Sequence, residues 1–177
     1  SDELVDAELF GHARGAFTGA AIERRGLFEE AHGGTLFLDE VAELSPRAQA
    51  KLLRVLQEGE VRRLGENHPR RVDVRVVSAT NRPLRDEVAG GRFRLDLRFR
   101  LDVVRLLVPP LRERRDDIPP LVEHFWRQTM VRLRRAARLA PSLVTALVAH
   151  DWPGNARELQ NVVTAVAAAG PVRGLVT

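Results

Sequence analysis

Two acids in succession, Asp39 and Glu40, close a short apolar run, Thr35-Leu36-Phe37-Leu38, that opens after Gly33-Gly34. An unbroken apolar run of this length, bounded by glycine, suits a strand buried on both faces of a parallel sheet. At the carboxyl end of such a strand, side chains face the crevice where open α/β sheets bind ligands. An Asp there can hold a magnesium ion through water, and a neighbouring Glu can orient or deprotonate an attacking water. The same letters also describe a strand capped by two solvated acids. A second run, Val72 to Asn81, begins alternating, ends apolar and closes on Thr80-Asn81. Two strands that both end in polar groups suggest one shared crevice, which favours the site at each.

A further group of candidates is cationic. The segment Phe93 to Leu101 carries Arg94, Arg98 and Arg100. Arg94 and Arg100 point in different directions on a helix. They describe either a solvated face or arginines that serve a phosphate on a neighbouring subunit, where a guanidinium stabilises transition-state charge. A third candidate is the loop Gly15-Ala16-Phe17-Thr18-Gly19-Ala20. It has no helical or strand period, and its glycines permit a sharp turn. Phe17 either folds back onto the body of the protein or is displayed to a partner as an aromatic anchor.

Composition excludes several chemistries. The 177 residues contain no cysteine, so disulfides and thiolate metal sites are absent. The five histidines form no His-x-x-x-His pair. No run of 18 apolar residues and no signal peptide is present, which implies a cytoplasmic location and no membrane partner. The formal charge is +4, and of 28 basic residues only Lys51 is a lysine. Lys51 lies in Gln49-Ala50-Lys51-Leu52-Leu53 with no glycine before it, so the chain carries no Gly-x-x-x-x-Gly-Lys-Ser/Thr phosphate loop. Arginine usage reflects genome composition more readily than a nucleic-acid surface.

The elements that must position these groups follow in order. Leu4–Phe10 reads as a helix ended by Gly11, and residues 22–31 as helical in part. Ser45-Pro46 opens a helix with an N-cap and a first-turn proline, and Gly59 suits its end. Residues 61–71 read as a hairpin-like insertion whose Arg62, Arg63, Arg70 and Arg71 either touch a nucleic-acid backbone or, more readily, are solvated. Pro83–Val88 is a short helix, and Val103–Val108 is expected as a third strand. After Pro109-Pro110 the pattern is helical: Ile118–Arg138 capped by Asp117, Pro141–His150, and Asn155–Ala169 capped by Asn155. The order strand, helix, strand argues for a doubly wound α/β core, spanning 1–110, with a small three-helix unit over 111–177. The last helix is too apolar to read a DNA groove.

Together these motifs resemble the central AAA+ ATPase domain of bacterial sigma-54-dependent transcription activators. GAFTGA at 15–20 is similar to that family's signature loop, and GGTLFLDE at 33–40 to its Walker B motif. Ala79-Thr80-Asn81 resembles sensor I. Phe93-Arg94 with Arg100-Leu101 resembles the arginine-finger segment, and residues 108–119 the linker to the lid. Trp152-Pro153-Gly154-Asn155-Ala156-Arg157-Glu158-Leu159 resembles sensor II.

The resemblance implies an AAA+ P-loop NTPase-type parallel-sheet core, truncated at its N-terminus, followed by a three-helix lid. It implies ATP and Mg2+ as cofactors, a ring, commonly a hexamer, and remodelling of sigma-54 RNA polymerase. Asp39 would manage magnesium, Glu40 would activate water, and Thr80 and Asn81 would sense the γ-phosphate. Arg94 and Arg100 would reach the next subunit's ATP, and Arg157 its own subunit's nucleotide. Gly15, Ala16, Phe17, Thr18, Gly19 and Ala20 would contact sigma-54. DNA would be bound by a domain this chain lacks, and a two-component receiver would lie elsewhere. The family's Glu and two Tyr in the finger segment are replaced by Leu95, Arg98 and Phe99. The family's P-loop precedes the point where this chain begins, so the chain is expected to be inactive alone and marginally stable. The alternative is a non-catalytic module that binds sigma-54 or partner subunits.

Overall fold

The computed structural model describes residues 2–171 and 173–176, and the chain divides into two compact units, 1–105 and 106–177. In the first unit, α1 (Asp2–Phe10) places two acids in its first turn, where the helix dipole favours them. It stops at Gly11. Phe10 is buried and stacks on Phe28 of α2 (Leu27–Glu30), with ring centroids 5.6 Å apart. The backbone at Gly26 passes so close to that at Gly11 that a Cβ on Gly26 would meet the Gly11 nitrogen at 2.3 Å. Only glycine allows this approach. Of residues 22–31, expected to be helical in part, 27–30 form α2 and 22–26 are irregular.

The site strand is β1 (Gly34–Leu38), and it leads into α3 (Pro46–Glu58). The α3 boundaries follow from the residues that bound it: Ser45 Oγ accepts from Ala48 N at 3.2 Å, Pro46 takes the first turn, and Gly59 closes the helix at φ +65. Ala48, Leu52, Leu53 and Val55 are buried as its apolar face. Next, β2 (Glu60–Val61) pairs antiparallel with β3 (Arg70–Arg71), so residues 60–71 form the expected hairpin. The chain then returns as β4 (Val74–Ser78), parallel to β1 in the register Gly34↔Val74 to Leu38↔Ser78. Two helices complete the unit, α4 (Leu84–Ala89) and α5 (Leu95–Leu101).

Two expectations fail here. β1 is not buried on both faces: only Leu38 is buried, and Phe37 is 59% exposed. Its sheet has two strands, and no third strand among the described residues covers that face. Val103–Val108 forms no strand, and Val104 and Leu106 are 80% and 87% exposed. An apolar run becomes a strand only where a neighbour accepts its backbone hydrogen bonds, and none is present among the described residues.

The second unit contains α6 (Ile118–Leu133), β5 (Ala136–Leu139), α7 (Pro141–Ala149), α8 (Asn155–Ala169) and β6 (Arg173–Val176). Its core is built on Leu111, Ile118, Val122, Leu159 and Val163. The first helix is shorter than expected because Arg134 turns left-handed at φ 53. The next residues pair in parallel with β6. Arg135 Nη1 donates to the carbonyls of Ala167, Ala168 and Gly170, each at 2.9 Å, and so closes α8. Neither expected cap forms. Asp117 makes no capping hydrogen bond, and Gly154 precedes α8, its N–H donating to Glu158 Oε2 at 2.7 Å. Asn155 instead accepts from Leu111 N through Oδ1 at 2.8 Å.

Candidate nucleotide site and partner loop

The ladder between β1 and β4 continues past both strands, through Ala79 N to Leu38 O at 2.8 Å and Val41 N to Ala79 O at 3.0 Å. It sets the two polar strand ends side by side. Asn81 N donates to Glu40 Oε2 at 3.3 Å, and Glu40 N donates to Asp39 Oδ1 at 3.0 Å. Thr80 Oγ1 accepts from Arg82 N at 3.1 Å. Asp39 and Asn81 are exposed, while Glu40 and Thr80 are half-buried. Glu40 adopts φ 51, ψ 46, a left-handed conformation costing about 1 kcal/mol or more for a non-glycine residue. Such positions concentrate at functional sites.

The oxygen donors of Asp39 and Glu40 have the hardness magnesium requires. Among the described residues, no three metal-ligating side chains converge. The donor set therefore fits one edge of a magnesium–phosphate complex rather than a self-sufficient metal cage. Lys51, the chain's single lysine, is engaged elsewhere: its Nζ lies 2.7 Å from Asp6 Oδ2 and over the Phe10 ring.

Arg94 immediately precedes α5, and its guanidinium grips Asp96 at two points, 2.9 and 2.7 Å. That hydrogen bonding holds the Asp96 carboxyl below its usual range. Arg100 is exposed and forms no ion pair among the described residues. Neither arginine is joined to Asp39 or Glu40 by a hydrogen bond or ion pair among the described residues. Arg157 lies exposed in the first turn of α8, within the second unit.

The loop at 15–20 is closed by Gly15 N to Ala20 O at 2.8 Å and Ala20 N to Phe17 O at 3.0 Å. Thr18 and Gly19 are exposed at its tip and Ala20 is buried. Phe17 is half-buried, with its ring edge-on to His12 at 5.1 Å. The loop's base is anchored to the 60–71 hairpin: Ala13 N donates to Leu64 O at 2.8 Å, and Leu64 N to Gly11 O at 2.9 Å.

Three polar residues escaped the sequence reading. Arg63, expected to be solvated, is 8% exposed and forks onto buried Glu29 at 2.6 and 2.9 Å. Its hairpin neighbours do not show this, because a run of arginines gives no period to read. Gln49 is 1% exposed, with its amide bonded to three backbone groups. The signal was present: Gln49 is a polar residue beside Ala48 on the apolar face of α3.

An α/β core with paired polar strand ends, followed by a helical unit, suits the AAA+ class, and the family comparisons show it. Residues 112–173 match the AAA+ ATPase lid domain, and residues 1–107 match the sigma-54 interaction domain. The chain belongs to the sigma-54 interaction domain family. It is 56% identical over 164 residues to the Nif-specific regulatory protein of Herbaspirillum seropedicae, covering 92% of this chain and 30% of that protein. It is 51% identical over 164 residues to the transcriptional regulatory protein ZraR of Salmonella typhimurium, covering 92% and 37%. The crystal structure of NtrX from Brucella abortus in complex with ADP superposes with a TM-score of 0.88 at 39% identity, covering 100% of this chain and 39% of that one. The ATP complex of the same protein gives 0.87. The chain spans about a third of the length of these relatives. Among the described residues, no helix is long and apolar enough to cross a membrane.

Proposed function

We infer that the chain works as the ATP-hydrolysing, sigma-54-engaging part of a transcription activator that remodels sigma-54 RNA polymerase. The observation that carries this reading is the hydrogen bond from Asn81 N to Glu40 Oε2. It couples the strand end that would activate water to the strand end that would read the terminal phosphate. ATP with Mg2+ would supply a phosphoryl group whose transfer needs little covalent help from protein and much charge stabilisation. Asp39 would hold the metal's water shell, and Glu40 would accept a proton from the attacking water. Thr80 and Asn81 would orient the outer phosphate. Arg157 would touch the nucleotide of its own subunit, and Arg94 and Arg100 that of the next, which requires a ring, by family a hexamer. Gly15 to Ala20 would contact sigma-54, with Thr18 at the exposed tip. The protein would work in the cytoplasm, with DNA bound through another domain.

A second reading is a non-catalytic module that binds sigma-54 or partner subunits. It is favoured by the engagement of Lys51 with Asp6, which leaves this chain no lysine for phosphate. The two readings separate on Glu40→Gln in protein expressed from the full coding sequence. The catalytic reading predicts retained ATP binding and hydrolysis reduced at least about 100-fold. Unchanged hydrolysis, or none in the parent protein, favours the module.

A further inference from the structure

We propose that Gln49 is the positioning residue of the arginine segment, its buried amide fixing where Arg94 and Arg100 stand relative to the Asp39-Glu40 strand end. The proposal rests on the trans role inferred above for those arginines.

The Gln49 side chain makes three hydrogen bonds. Nε2 donates to Leu44 O at 2.8 Å and to Arg92 O at 2.9 Å, and Oε1 accepts from Arg94 N at 2.9 Å. Leu44 ends the short turn that begins directly after Glu40. Arg92 and Arg94 flank Phe93 at the start of α5. One side chain therefore ties the backbone just beyond the water-activating Glu to the backbone of the first finger arginine.

Apolar packing alone does not fix this register. Phe93 and Leu97 are buried and hold α5 against the core, but such contacts are non-directional. Hydrogen bonds are directional, and here they clamp Arg92 and Arg94 on both sides of the buried Phe93. The residue type is specific. Two carbonyls must be given donors and one N–H an acceptor, and only a primary amide offers both from one group. The substitution Gln49→Glu would set oxygen against the two carbonyls, and the shorter side chain of Gln49→Asn would not reach all three groups. Gln49→Met would match the volume and leave three backbone groups without partners.

A core glutamine kept only for stability would show the same bonds, so the test must separate position from fold. ATP hydrolysis is measured in protein expressed from its full coding sequence for Gln49→Met and Arg94→Ala. Each is measured alone and mixed with excess Glu40→Gln subunits, which keep their arginines but do not hydrolyse. A misplaced finger lowers kcat at least about tenfold, since displacement by an ångström can cost about 100-fold. It leaves ATP affinity within about twofold, because the side chains proposed to hold the subunit's own nucleotide are unchanged. The Glu40→Gln subunits then restore hydrolysis at Gln49→Met sites, as they do at Arg94→Ala sites. Unchanged kcat, or a loss that mixing restores for Arg94→Ala but not for Gln49→Met, overturns the proposal. If Gln49→Met does not fold, Gln49→Glu is read in the same mixture, and failure of both to fold also overturns it. Full hydrolysis by Arg94→Ala alone removes the arginine reading itself, and this proposal with it.

Discussion

Arg63 and Glu29 form a two-point ion pair inside the first unit, with Nε and Nη2 of the arginine at 2.6 and 2.9 Å from the two carboxylate oxygens. The pair joins the 60–71 hairpin to α2, directly upstream of the site strand. Both side chains are below 10% exposed, at 7% and 6%. Removing one partner leaves a buried charge, so Arg63→Met is expected to cost about 3–5 kcal/mol. Replacing both with apolar residues should recover most of that loss. Denaturant unfolding of the two variants measures it.

The same pair makes a pH prediction. Burial pushes the Glu29 carboxyl up, but the Arg63 hydrogen bond and charge, with Arg70 and Arg25, outweigh it and hold the group below its ordinary 4.5. A carboxyl depressed in the folded state stabilises the fold above its unfolded value, and that increment is lost as pH falls through the folded value. Parent protein should therefore lose more stability than Glu29→Gln on acidification below about 4.5. Parallel losses in the two proteins would contradict this.

Glycine positions should differ sharply. A Cβ at Gly26 would meet backbone atoms at 2.3, 2.4 and 2.6 Å, so Gly26→Ala is expected to cost about 3 kcal/mol or more. At Gly15 a Cβ meets nothing within 4 Å, and only the positive φ is strained, for about 1–2 kcal/mol. Thermal unfolding of the two variants should rank them in that order.

Glu40 carries both strain and proposed chemistry. Asn tolerates a left-handed backbone better than other side chains do. Glu40→Asn should change stability by less than about 1 kcal/mol while hydrolysis falls at least about 100-fold. A large loss of stability would make Glu40 a structural residue instead.

The parts most legible in the sequence were those with a local physical cause. Ser45, Pro46 and Gly59 bound α3 through capping geometry that depends on no distant neighbour. The paired strand ends were legible because an apolar strand and its polar terminus occupy adjacent letters. Val103–Val108 was not, because strand formation needs a partner that a single run cannot announce. The Asp117 and Asn155 caps failed because residue type permits a cap without requiring one, and Asn155 bonds Leu111 instead. The burial of Gln49 left a trace, a polar residue on the apolar face of α3, but its partners did not: Glu29 for Arg63, and Leu44, Arg92 and Arg94 for Gln49, are brought together by the fold. The loop lies between these cases. Its glycines marked a turn, but not the packing of Phe17 against His12.

The most direct measurement uses Phe17→Ala in protein expressed from its full coding sequence, following ATP hydrolysis, sigma-54 binding and promoter opening together. The half-buried ring touches His12 and no proposed nucleotide group. Hydrolysis is expected to be retained, with sigma-54 engagement and promoter opening lost. Promoter opening at the parent rate would contradict this.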